Sequence, residues 1–329
     1  MTQARPRVSV IVPSYNHARY LPERMDSILG QTFQDFELVF LDDASPDGSR
    51  SVFARYAQDP RIRAVFNGTN SGSVFKQWNR GIGMAAGELV WIAESDDVAD
   101  PRFLETLVGL LDRHPDAVLA YSDSMVIDPD GTPSKPISDW MNQLEAGRWS
   151  ADFVNDGVDE IRRYLVQRNT VPNASAVVFR KSIAERTGGA RTDLRLASDW
   201  AFWVGLLAHG KVAYTAERLN RFRKHPASVT SRSVSESRDI EENYILVGEI
   251  AARFHPCPTA LEASLRQLSE DWFWRCHSPG RRPSPERHRA IRRAALACDR
   301  RLPVRWWKLW IRLRWTQVCR RLLGSASKP

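Results

Sequence analysis

From residue 7 to residue 97 the chain alternates two patterns: short β-branched apolar runs, and stretches whose apolar residues recur at helical spacing. "RVSVIVPSYN" is a run stopped by Pro13, as a buried strand reads when it ends in a loop. A helix follows from about Arg19 to Leu29, with Leu21, Met25, Ile28 and Leu29 on one face. "FELVFLDDASPDGS" gives a second strand, Phe36 to Leu41, running into Asp42, Asp43 and a turn, with a helix from Ser49 to Ala57 after it. "RIRAVFNGTNSGS" supplies a third strand and a loop, "VFKQWNRGIGMAA" a helix, and "ELVWIAESDD" a fourth strand. This rhythm predicts an α/β fold with a doubly wound, mostly parallel sheet. In such sheets ligands bind beyond the carboxyl ends of the strands.

Further along, Phe103 to Arg113 reads as a helix, "AVLAYSDSMVID" as a strand ending in a turn, "ASAVVFRKS" as a strand, and "LASDWAFWVGLLAHG" as a helix with a glycine stop. "KVAYTAERLNRFRKHPASVT" is extended, whereas residues 133 to 160 are loop-rich and poorly periodic. Beyond about residue 235 the pattern is helical throughout, and no internal repeat is visible. In the tail, Val304, Trp307, Ile311, Trp315, Val318 and Leu322 form one stripe flanked by Arg305, Lys308, Arg312, Arg314 and Arg321. Such a helix suits a lipid interface, although a core-packing helix with snorkelling arginines has the same pattern.

Three of the four early strands end in polar or acidic residues, at Asn16, Asp42 and Asp97. The last of them sets Glu94, Asp96 and Asp97 within four positions, and like charges so close need a cation, protonation or ample water. One acidic turn is ordinary; acids at several adjacent strand ends point to a shared site.

Composition narrows the classes. With 43% hydrophobic and 26% charged residues the 329-residue chain is an ordinary globular protein, and no apolar run approaches the ~20 residues of a membrane span. The start lacks the apolar length of a signal peptide, so a cytoplasmic protein is expected. Cys257, Cys276, Cys298 and Cys319 have no metal-binding spacing and read as reduced. The net charge of +8 is uneven: residues 1–230 hold 27 basic against 29 acidic residues, and residues 231–329 hold 20 against 10. A basic tail on a neutral body argues against nucleic acid and for peripheral contact between the tail and an anionic membrane or acidic partner.

"VSVIVPSYNHARYLPERMDSILGQTFQDFELVFLDDASPDGS", then "NSGSVFKQWNRGIGMAAGELVWIAESDD", "NASAVVFRKS", "LASDWAFW" and "FRKHPASVT", resemble in order the motifs of family 2 glycosyltransferases. The resemblance covers roughly residues 7 to 232. It implies a GT-A-like domain over 1–232, with a nucleotide-binding half (1–130) and an acceptor half (131–232), ahead of a basic, Trp-rich helical C-terminal region (233–329). It also implies inverting transfer of a sugar from a nucleotide-sugar donor to a glycan or lipid-linked acceptor, with Mn²⁺ or Mg²⁺ on the diphosphate.

On that resemblance Asp42 takes the nucleobase, with Pro13, Tyr15 and Asn16 in the first-strand motif and Tyr15 against the ring; Asp43, a turn acid, has the weaker claim. Asp96 and Asp97 occupy the metal and ribose positions, and a one-residue length difference before Pro101 leaves the assignment between them open. Glu94 stands where many relatives carry Asp. His225 corresponds to a histidine that completes the metal shell in some relatives, and Lys76 to a residue reaching a phosphate, with Arg221 and Arg223 as further phosphate candidates. Asp199 matches the catalytic base, preceded here by Ser198 where many relatives have Glu. Asn173 and Trp200 fall on the acceptor side, and Trp200 and Trp203 read either as a wall against a sugar ring or as core.

Two other classes compete. A sugar nucleotidyltransferase would need an early glycine-rich loop, which "SYNHARYL" lacks; a non-catalytic sugar- or partner-binding module would need to have lost acids that Asp96, Asp97 and Asp199 still supply.

Overall fold

The structure, a computed structural model, describes residues 5–226, 237–278, 280 and 282–324, with side chains as far as residue 315. Ten strands form one sheet: β1 Val8–Ser14, β2 Phe36–Asp42, β3 Ile62–Phe66, β4 Leu89–Ile92, β5 Val98–Ala99, β6 Ala117–Ile127, β7 Pro133–Pro136, β8 Phe153–Asn155, β9 Val177–Arg180 and β10 Lys211–Arg223. Their order is β3-β2-β1-β4-β9-β6-β10-β5, with β7 beside β6 and β8 beside β10. Pairs β2–β3, β1–β2, β1–β4 and β6–β10 are parallel, while β9 lies antiparallel between β4 and β6. The sheet is thus continuous across residue 130, and that expected division falls between β6 and β7, which pair with each other. The expected boundary at 232 lies outside the described residues.

Strand alternation explains the two layers. Val8, Val10 and Val12 face one apolar cluster, closed by helices Leu21–Leu29 and Phe103–Arg113, while Ile11 faces the other, closed by helices Val74–Met84 and Ser198–Leu207. Gly81 lets the Val74–Met84 helix lie directly on β1: a Cβ there would stand 2.3 Å from Ile11 Cγ2. The loop-rich stretch 133–160 resolves into β7, β8 and single helical turns.

Four C-terminal helices, Arg238–Phe254, Pro258–His277, Pro285–Cys298 and Leu302–Gly324, extend the second cluster rather than building their own. Ile240, Tyr244, Leu265, Trp272, Ile291 and Leu302 are buried in the same contiguous core as Trp78 and Trp203. The Trp272 and Trp306 rings lie 4.5 Å apart, and Tyr244 Oη and Ser269 Oγ are 3.1 Å apart.

The last helix is rotated relative to the expectation that its stripe could be a packing face. Leu302 and Leu309 are buried, with Trp306 against Trp272 and Phe273, whereas Val304, Trp307, Trp310 and Trp315 are exposed and Ile311 is half-buried. The inward-facing residues are the buried Leu302 and Leu309 and the half-buried Trp306, out of phase with the stripe read from the sequence. Arg305 is not a flanking surface charge: its guanidinium donates to both Glu262 oxygens at 2.6 and 2.7 Å and to Asp299 Oδ2 at 2.9 Å. The side chains of Val318, Arg321 and Leu322 lie outside the described residues. No helix among the described residues is long and apolar enough to cross a membrane.

Because sheet and C-terminal helices share one core, Trp272→Ala is expected to cost about 3–5 kcal/mol and to lower one common melting transition. Near-ultraviolet and far-ultraviolet circular dichroism should give coincident midpoints; two separated transitions would contradict a shared core.

Candidate functional site

At the carboxyl ends of β1 and β2, Ser14 and Asp42 are register partners, and the chain leaves both strands through left-handed residues, Asn16 at φ 61° and Ala44 at φ 59°. An alanine in that region is strained, which marks a turn whose shape is imposed by its surroundings. Asp42 Oδ2 accepts from the Ser45 amide at 3.1 Å, and the Asn16 amide donates to Ser45 Oγ at 3.0 Å. Asp42 Oδ1 and Ser14 Oγ are buried with no hydrogen-bond partner among the described residues, so this corner offers two unused polar atoms, and Tyr15, next in the chain, is 45% exposed. Pro13 is buried within β1 and shapes the strand end.

Asp43 is not the solvated turn acid that its sequence context suggests. It is 5% exposed and accepts from Asn67 Nδ2, the Ser71 amide and hydroxyl, and Gln77 Nε2 at 2.6 to 2.9 Å, fixing the loop that follows β3. Lys76 stands exposed above that loop and donates to the Ser71 carbonyl at 3.1 Å.

At the end of β4 the acids are arranged around cations. Arg24, on the buried face of helix Leu21–Leu29, is fully buried and donates to the Glu94 carbonyl at 2.7 Å and Ser175 Oγ at 2.8 Å, with its guanidinium 5.3 Å from the Trp91 ring centre. Burial lowers its pKa to about 10 even though Asp97, Asp96 and Glu94 all favour its charge. Glu94 accepts from Trp78 Nε1 at 2.7 Å and is pushed up to about 8, first by burial and then by Asp96. Asp97 is 2% exposed, accepts from the Arg223 amide at 2.8 Å and Asn173 Nδ2 at 3.1 Å, and is pushed up to about 6 by burial and Asp96.

Asp96 points the other way, toward two imidazoles. Its Oδ2 is 3.0 Å from His225 Nε2, and although burial opposes its charge, His225 and His17 hold it below the ordinary carboxylate range. One ligand atom each from His17, Asp96 and His225 lies within 4.8 Å of the others. Cis ligands of an octahedral ion with bonds of ~2.1 Å stand about 3 Å apart, so the His225–Asp96 pair matches such an edge. Imidazole and carboxylate donors fit Mn²⁺, and the remaining positions suit phosphate oxygens and water. Burial keeps His17 more neutral than a free histidine, as a ligand must be.

Three sequence expectations change here. Arg223 is no free hand for a phosphate: it is buried, and its guanidinium donates to the Asp96, Asp128 and Pro129 carbonyls and to Glu23 Oε2 at 2.5 to 3.2 Å. It clamps the acidic turn instead, while Arg221 remains exposed. Asn173 does not face an acceptor with its amide, because Oδ1 takes the Ser175 amide at 2.7 Å and Nδ2 is spent on Asp97. Trp203 is core at 0% exposure, and Trp200, at 6%, offers little wall to a sugar, although its buried indole N–H has no partner among the described residues.

Asp199 lies in the first turn of helix Ser198–Leu207, half-buried, and accepts from Asn169 Nδ2 at 3.0 Å through Oδ2 and from the Trp200 amide through Oδ1. Burial lifts it to about 7 against these hydrogen bonds. The short stretch Asn169 to Asn173 therefore touches Asp199 at one end and Asp97 at the other, joining the two carboxylate groups.

Arg24 and His17 were not singled out from the sequence. Arg24 had a legible signal, since it interrupts the apolar face Leu21, Met25, Ile28 of a short helix; His17, one residue past Asn16, had none beyond its position at a strand end.

A strand-end rim with buried, unused polar atoms at Asp42, a carboxylate–imidazole cluster and a separate half-buried acid, on this sheet, points to the glycosyltransferase class. The family model "Glycosyl transferase family 2" matches residues 9–173, and the chain belongs to that family. The putative teichuronic acid biosynthesis glycosyltransferase TuaG of Bacillus subtilis is 29% identical over 217 residues, 65% of this chain and 77% of that protein. The chain spans only 16% and 33% of the length of two further curated relatives. Among solved structures, S. aureus TarS 1–349 in complex with UDP-GlcNAc superposes with a TM-score of 0.64 at 18% identity, covering 90% of this chain and 82% of that one. The mannosyltransferase PcManGT from Pyrobaculum calidifontis, in complex with GDP-Man and Mn²⁺, gives 0.58 at 19% identity over 92% and 84%. At these identities the structures establish the GT-A-like fold.

The raised Glu94 pKa has a stability consequence. Its folded value lies above the ordinary 4.5, so its contribution is complete below that pH and is lost as the pH rises through about 8. Melting the metal-free protein in chelator at pH 5 and pH 8, the parent should lose more stability over this interval than Glu94→Gln does; equal losses would mean that Glu94 is ionised and solvated throughout.

Proposed function

We propose that the protein is an inverting, metal-dependent glycosyltransferase that moves a sugar from a nucleotide-sugar donor to an acceptor hydroxyl in surface or lipid-linked glycan synthesis. The observation that carries this reading is that Asp42 and the His17–Asp96–His225 cluster lie at the carboxyl ends of parallel neighbouring strands, with Asp199 joined to Asp97 there through the stretch Asn169 to Asn173. In this reading Asp42 Oδ1 accepts from a base N–H, Tyr15 lies against the ring, and Asn16 borders the nucleoside. Asp96, His225 and His17 hold Mn²⁺ or Mg²⁺, while Asp97 is held by the Arg223 amide and Asn173, and the exposed Lys76 reaches a phosphate. The bound ion supplies charge neutralisation for the departing diphosphate.

Asp199 removes the proton of the acceptor hydroxyl as that oxygen bonds to the anomeric carbon, and the bond from that carbon to the diphosphate oxygen breaks on the opposite face. A carboxyl near 7 combines a usable fraction of base with a real affinity for the proton, which suits this step. Asn169 orients it. The similarity to TuaG, a teichuronic acid biosynthesis glycosyltransferase, supports a polysaccharide acceptor. The exposed Val304, Trp307, Trp310 and Trp315 beside Lys308 and Arg314 support peripheral contact with the inner face of the cell membrane, where a lipid-linked acceptor would be met.

Asp199→Asn should retain nucleotide-sugar affinity and lose about 10²–10⁴-fold in turnover; transfer at the parent rate would assign the base elsewhere. By calorimetry, UDP or GDP should bind more tightly with Mn²⁺ than in chelator, and equal affinity would remove the ion from the site. Replacing Trp307 and Trp315 together by Ser should abolish sedimentation with anionic vesicles and leave metal-dependent donor hydrolysis unchanged; unaltered sedimentation would contradict membrane contact through this face.

A further inference from the structure

We propose that Glu242, from the C-terminal helical region, is a positioning residue for the transfer step, holding in place the chain segment that presents Asp199. The inference rests on the reading of Asp199 as the base. Glu242 lies on helix Arg238–Phe254 and is 7% exposed. Its Oε1 accepts from the Arg195 amide at 2.9 Å, and its Oε2 accepts from the Leu196 and Ala197 amides at 2.7 and 3.0 Å.

These three N–H groups immediately precede the helix whose second residue is Asp199. A helix start leaves its amides unpaired, and the usual remedy is a side chain at the residue before the first turn. Here that residue is Ala197, which has nothing to offer, and Ser198 spends its hydroxyl on the Arg191 carbonyl at 2.5 Å. The amides that Glu242 takes are those of Ala197 and the two residues ahead of it, while the Trp200 amide inside the first turn is taken by Asp199 Oδ1; their acceptor comes from a helix more than forty residues further along the chain. A carboxylate taking three amides forms charge-assisted bonds that fix the direction of the segment, and its negative charge is welcome at a helix N-terminus.

Glu242 also acts on Asp199 through space, as a like charge disfavouring its ionised form. Among the described residues the groups hydrogen-bonded to the Asp199 carboxyl are neutral: Asn169 from the preceding loop and the Trp200 amide of its own helix. Arg191, on the loop leading to the helix, is engaged by Asp193 and by Glu249 of the same C-terminal helix. The C-terminal region thereby holds the segment that carries the group taking the acceptor proton, and adds a like charge to the burial that raises its pKa.

The test uses the full chain with ¹³C-carboxyl-labelled aspartate, the Asp199 signal being assigned by its absence from Asp199→Asn. In Glu242→Gln, which removes the charge, the Asp199 titration should move down by about half a pH unit or more. In Glu242→Asp, which keeps the charge on a shorter arm, it should stay near the parent value while amide exchange at 195–197 speeds up about tenfold or more. On the donor that the parent enzyme turns over, both variants should lower kcat with donor KM unchanged, and the acid limb of the Glu242→Gln profile should shift with the titration. A parent-like titration and kcat in Glu242→Gln overturns the proposal, and so does a loss of donor binding in both variants, which would mark a merely structural role. Failure of the base reading is separate, since it appears as an Asp199→Asn variant that still transfers sugar.

Discussion

The rim depends on a guanidinium kept out of water. Three carboxyl groups within four residues of β4's end would repel one another at the edge of an apolar sheet, and the Arg24 side chain, buried beneath them against Trp91, supplies the opposite charge from the inside. Two oxygens tie it in place, the Glu94 carbonyl and Ser175 Oγ, and Ser175 Oγ in turn accepts from the Glu94 amide. Arg24 works against the burial and the Asp96 charge that raise Glu94 and Asp97, and Asp96 alone is turned toward the histidines. The three acids differ because Glu94 and Asp97 are held by buried partners, Trp78, Asn173 and the Arg223 amide, while Asp96 meets His225 and His17.

Positions in the fold decide how much of this could be read from the chain. The strands of the first half were legible because β-branched runs such as Val8–Val12 alternate between two covered faces and stop at Pro13, Asp42 and the acidic turn. The antiparallel insertion of β9 between β4 and β6 was not, since strand direction leaves no mark in a four-residue apolar run such as Val177–Arg180. In the tail the helix was legible and its packing face was not. Tryptophan recurs on both sides of it, so the choice between Trp306 and Trp307 as the buried ring is made by Trp272 and Phe273 on another helix.

Among site residues, those whose type matched the chemistry at a strand end, Asp42, Asp96 and Asp199, were readable as candidates, and their neighbours were not. Arg223 and Asn173 look like ligand-binding side chains in sequence, yet each is consumed in holding Asp96 or Asp97. A polar residue's partners come from elements distant in the chain, here 127 and 76 residues away, and local pattern carries no information about them. Asp43 shows the same limit from the other side, a turn acid that is the hub of a loop.

The uninterrupted apolar cluster that runs from Trp78 through Trp203 to Trp272 and Leu302 bears on how this chain can be recombined with its kin. Grafting a foreign C-terminal bundle onto this sheet would juxtapose side chains that were never shaped for each other along the Ile161–Leu165 helical turn, against which helices Arg238–Phe254 and Pro258–His277 pack. A chimera with its crossover near residue 237 would have to carry that turn with the donor bundle, so the exchangeable unit is larger than the one the charge asymmetry of the chain suggests.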